Sequence, residues 1–86
     1  MTTTARSLIA EFGTREIPLE SVCERYFGMG VKTAQNAILA GTFPIPTYRV
    51  GGKKAPLLVR ADDLARLLDD RYAEARERWS LQQGAA

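Results

Sequence analysis

Apolar positions along the 86-residue chain fall into four stretches of helical spacing, separated by glycine, proline and short β-rich runs. Leu8, Ile9 and Phe12 recur about one turn apart behind Thr2, Thr3 and Thr4, whose hydroxyls suit a helix start, and Gly13 ends the run. A first helix is predicted over residues 3–12. Residues 14–17 read as a link, and Pro18 stands where a first-turn proline belongs. Behind it Leu19, Val22, Cys23 and Tyr26 form a stripe, so a second helix is predicted over 18–27.

Gly28, Met29 and Gly30 then read as a tight turn into a third helix over 31–40. At 3.6 residues per turn Val31, Ala34 and Ile38 share its packing face. Lys32, Thr33 and Asn36 point away, with Gln35 and Leu39 at the margins. Gly41 ends this helix, and Pro44 and Pro46 force an extended connector. Residues 47–50 and 57–60 are β-rich and flank Gly51, Gly52, Lys53 and Lys54, which predicts a hairpin with a basic tip. A last helix over 62–80 starts at Asp62 or Asp63 and carries the stripe Leu64, Leu68, Tyr72, Ala75 and Trp79, with residues 82–86 fraying. At about 27 Å it outruns so small a core.

Composition places the chain among soluble globular proteins, at 45% hydrophobic and 26% charged residues, and its length suits one domain over 1–86. There is no histidine and only one cysteine, so a disulfide framework, a zinc cluster and a CxxC pair within the chain are excluded. Cys23 lies on an apolar stripe without an activating base and reads as a core residue. Gly51, Gly52, Lys53 and Lys54 fail as a phosphate loop, because Thr47 stands where glycine is needed and Lys54 where serine or threonine is needed. No enzyme activity, cofactor or metal is expected. The first residues lack the apolar core of a signal peptide and no run is long enough to span a bilayer, so a cytoplasmic location is expected.

The net charge of +2 conceals a segregation. Between residues 25 and 61 there are six basic residues and no acid; the first 24 residues hold two arginines against four glutamates, and those from 62 onward four arginines against six acids. A basic centre with acidic flanks is the footprint of a surface that meets a polyanion, the plain alternative being a solvated face.

Helix, glycine turn, helix and basic hairpin follow one another as in a winged helix-turn-helix, mainly α with a small β-hairpin. In that layout the second helix of the pair enters the major groove of double-stranded DNA. Arg25, Arg49, Lys53, Lys54 and Arg60 are the candidate phosphate anchors. Lys32, Thr33, Gln35 and Asn36 are the candidate base readers, since Gln and Asn pair bidentately with adenine and Lys reaches guanine or phosphate.

A wider resemblance rests on Ile17-Pro18-Leu19-Glu20, on Tyr26-Phe27-Gly28, on the Gly41 to Pro46 step with Phe43-Pro44-Ile45-Pro46, and on Gly51-Gly52-Lys53-Lys54-Ala55-Pro56. In this order they resemble the pyocin activator PrtN family and, more loosely, the AlpA and excisionase-like group. The resemblance implies a bacterial, phage- or prophage-type transcription activator that binds a short DNA box upstream of bacteriocin or phage-tail genes, nucleoid-associated when bound to DNA, with host transcription machinery as a further partner. It places the recognition helix on 31–40 and the wing on 48–60.

A protein-interaction module that binds a host factor and scarcely touches DNA is the competing reading. RNA binding is weaker, because the hairpin offers no pair of exposed aromatics for stacking. A homodimer is expected through Tyr72 and Trp79, with Leu8, Ile9 and Phe12 covering the distal stripe either within the chain or across a two-fold axis.

Overall fold

A computed structural model describes residues 1–84. Helix α1 spans Thr3–Phe12 and starts as its threonines suggest: the Thr2 hydroxyl accepts from the Ala5 amide at 3.1 Å. It buries Ala5 and Leu8. Strand β1, Glu16–Pro18, follows, then helix α2, Leu19–Phe27, which buries Leu19, Val22 and Cys23. Cys23 is a core residue, as its place on the stripe implies.

Gly28 closes α2 at φ 66°, in the left-handed region that only glycine enters without a steric cost, and its amide bonds back to the Cys23 and Glu24 carbonyls. Helix α3 runs Val31–Leu39, with Ala40 as its cap, and buries Ala34 completely. A methyl side chain at that point lets the two helices approach closely. Beyond α3 the Phe43 ring lies 4.9 Å from that of Phe27 and pins the connector to the end of α2.

The sheet differs from the hairpin expected over 47–60. Strand β2, Leu58–Arg60, pairs with β1 antiparallel, matching Glu16 to Arg60, Ile17 to Val59 and Pro18 to Leu58. Residues 47–50 contribute one bridge, where Tyr48 and Leu58 exchange both backbone hydrogen bonds at 3.0 and 2.8 Å. The reason lies in burial. Ile17 and Val59 face the core, so pairing them removes two β-branched side chains from water, whereas Arg49 and Val50 are exposed and have nothing to pack on. Two further hydrogen bonds extend the ladder, from the Leu19 amide to the Leu57 carbonyl and from the Ala61 amide to the Arg15 carbonyl, both 2.9 Å.

Helix α4, Ala61–Gly84, follows β2 without a loop and carries Asp62 and Asp63 in its first turn, where acids favour the helix dipole. It begins one residue earlier than the capping pattern implied and stays helical through Gln82, Gln83 and Gly84, which were expected to fray; Ala85 and Ala86 lie outside the described residues. Its Ala61, Leu64 and Ala65 close the core, and α1 packs along this first part. Thr4 donates to Asp69 at 2.7 Å near the limit of that packing. From Arg71 onward every described residue of α4 is exposed, and the molecule measures 55 × 29 × 17 Å. The whole is mainly α with a two-stranded antiparallel sheet, the layout of a winged helix-turn-helix. No helix among the described residues is long and apolar enough to cross a membrane.

Candidate nucleic-acid interface

The ladder between β1 and β2 fixes the wing beside the helix pair, because β1 leads straight into α2 while β2 ends the wing. Between them lies an open cleft lined by Leu19, Glu20, Val31 and Gln35 from the helices and by Arg49, Lys53 and Lys54 from the wing. A second, adjoining cleft shares Gln35, Arg49 and Leu57 with the first and adds Ile38 and Leu39. Four of the expected residues, Gln35, Arg49, Lys53 and Lys54, are therefore brought together.

Within the wing the Ala55 amide bonds to the Gly52 carbonyl at 2.9 Å, which turns the loop back on itself. Arg49 Nε donates to the Ala55 carbonyl at 2.8 Å and ties the two sides of the loop together. Lys53 and Lys54 are exposed and have no ion-pair partner among the described residues.

On α3, Lys32, Thr33, Gln35 and Asn36 are all exposed. Taking the buried Ala34 as the inner direction, 100° per residue sets Gln35 on the wing side, Lys32 and Asn36 on the outward face and Thr33 on the opposite flank. The helix has no acid, so its outward face is polar and cationic. Val31, expected on the packing face, is 39% exposed and lines the cleft instead, because the core beside α3 is filled by Ala34 and the half-buried Ile38.

Two expected anchors lie elsewhere. Arg25, at the end of α2, forms an ion pair with Glu11 of α1 and stands over the Tyr26 and Phe12 rings at 5.1 and 5.9 Å. The hydrogen bond with Glu11 raises its pKa above the ordinary arginine value. Arg60 pairs with Asp62 at 3.2 Å, and its Nε is buried without a partner. Neither lines the cleft, and both guanidinium charges are partly met within the chain.

Glu20 and Leu39 line the clefts although neither was expected in the binding site. Glu20 is the one acid lining the cleft, in the first turn of α2 where the helix dipole favours it. Leu39 is 86% exposed at the end of α3, an apolar surface beside the polar row. Its place 140° from the buried Ala34 was the available signal.

Tyr72 and Trp79 lie on the projecting part of α4, at 64% and 54% exposure, and with Ala75 and Arg76 they line a shallow depression. Leu8 is buried and Ile9 and Phe12 are half-buried against the core, so α1 is committed within the chain and leaves the distal stripe open.

No curated protein and no solved structure matches the chain. A family model described as pyocin activator protein PrtN matches residues 4–75. That span takes in α1, both strands, the helix pair, the wing and α4 as far as Ala75, hence every element that builds the cleft. The chain belongs to the pyocin activator PrtN family.

Proposed function

We propose that the protein is a sequence-specific, double-stranded DNA-binding transcription activator of phage or pyocin-type genes, working in the bacterial cytoplasm without cofactor or metal. The observation that carries this reading is the convergence of an acid-free recognition helix and three wing cations on one open surface. Helix α3 enters the major groove, where Gln35 and Asn36 read adenine and Thr33 and Lys32 reach neighbouring base edges or phosphates. Lys53 and Lys54 hold the backbone as point charges. Arg25 and Arg60, already paired with carboxylates, add little.

Catalysis has no comparable support. The chain has no histidine, and its one cysteine is buried in the core away from any activating base. A single winged unit also covers too little DNA for useful specificity, so two copies pair through the exposed Tyr72 and Trp79 and bind half-sites a whole turn apart. Host transcription machinery is the further partner that an activator requires. Selection of bound fragments from random duplex DNA tests this reading. Enrichment of a short two-fold-related box supports it, and recovery of unenriched DNA favours the module that binds a host protein.

A further inference from the structure

Helix α3 carries Lys32 as its only charged residue and no arginine. Lys32 can donate to a guanine, but nothing on the helix presents the rigid two-nitrogen fork of a guanidinium that matches O6 and N7 together. One guanidinium does stand beside it. Arg49 shares both clefts along the wing side of α3 with Gln35, and it is the only arginine in either.

Its setting differs from that of the other basic residues. Arg25 and Arg60 are held by carboxylates, and Lys53 and Lys54 end in flexible ammonium groups without partners among the described residues. Arg49 is held by a neutral carbonyl, that of Ala55, through Nε alone. That bond restrains the guanidinium plane, and no carboxylate forms an ion pair with it among the described residues, although Glu20 lines the same cleft. The two terminal nitrogens keep their four N–H donors, arranged as a fork. A phosphate anchor has no need of such restraint, since any cation within reach neutralises a phosphate; a base reader needs it.

We propose that Arg49 reads a guanine next to the base read by Gln35, so that wing and recognition helix together specify two neighbouring base pairs. The assignment rests on the DNA-binding reading above. It removes Arg49 from the set of backbone anchors expected from the sequence and gives the Ala55 carbonyl the role of positioning it.

The test compares unmutated protein, Arg49→Lys and the double variant Lys53→Ala with Lys54→Ala on the duplex selected by the unmutated protein. Each is also measured on the same duplex with single guanines replaced by 7-deazaguanine, which lacks the N7 acceptor. Unmutated protein should lose about 5- to 150-fold in affinity at one such guanine. Arg49→Lys should bind the unmodified duplex more weakly by a similar factor, show no further loss with 7-deazaguanine, and keep the salt slope of the unmutated protein. The double lysine variant should keep its sensitivity to the modified guanine while its salt slope falls. Thermal unfolding of Arg49→Lys within a few degrees of the unmutated protein separates failed recognition from a loosened wing. Unmutated protein indifferent to 7-deazaguanine at every position overturns the assignment without needing any variant, and so does an Arg49→Lys variant with full preference. Absence of any selected duplex overturns DNA recognition itself, a different and separately visible failure.

Discussion

Ile17 lies directly opposite Val59 in the ladder between β1 and β2, and neither side chain is exposed. This pair joins the segment entering the helix pair to the segment leaving the wing. A two-stranded ladder of three residue pairs is marginal in water by its hydrogen bonds alone, so its persistence depends on the two side chains sealed beneath it. Ile17→Ala should cost about 2–5 kcal/mol of folding stability, read from urea denaturation. A loss below about 1 kcal/mol would show that the ladder is held by something else.

Replacing Lys53 and Lys54 together with Ala should weaken binding to all duplexes by a similar factor and reduce the salt slope by about 0.9 for each phosphate that is no longer neutralised. Arg25→Gln and Arg60→Gln should change affinity much less, because each guanidinium already has a carboxylate partner. Titrations of the variants on one selected and one random duplex check both expectations. Equal losses from the paired arginines and the free lysines would contradict the division between them.

Asn36 sits on the outward face of α3 and is exposed. Asn36→Ala should cost about 1–3 kcal/mol on the preferred duplex and little on random DNA, relaxing choice at one or two base pairs. Equal losses on both duplexes would show that Asn36 does not read bases.

The first three helices were legible to within a residue because each is bounded by local chemistry, Thr2 capping α1 and Gly28 taking positive φ after α2. The far end of α4, expected at residue 80, instead runs on to Gly84. The sheet was not legible. Glu16 to Pro18 is three residues long, and whether it pairs depends on Val59 arriving from far along the chain, which no local pattern records. The β-rich residues 47–50 show the converse, a propensity with no buried face to reward it. Among site residues, the exposed row on α3 followed from periodicity alone. Arg49 and the paired Arg25 and Arg60 looked alike as basic residues, and only their partners, Ala55, Glu11 and Asp62, tell them apart.

Tyr72 and Trp79 are exposed along one side of α4 beyond the reach of α1. Sedimentation at tens of micromolar should show a dimer of the unmutated chain, and Tyr72→Ala with Trp79→Ala should give monomers that bind the selected duplex more weakly. The substitutions touch no buried residue, so helix content should be unchanged. A monomeric unmutated chain, both free and on its duplex, would contradict the pairing.

Salt dependence of binding to the selected duplex tests the central claim most directly, because it counts neutralised phosphates without assuming which bases are read. With Lys32, Lys53 and Lys54 each meeting one phosphate, the logarithm of affinity should fall against the logarithm of salt concentration with a slope of about −2.7 per protomer. A slope near zero, or no measurable binding to any duplex at low salt, would contradict DNA recognition by this surface.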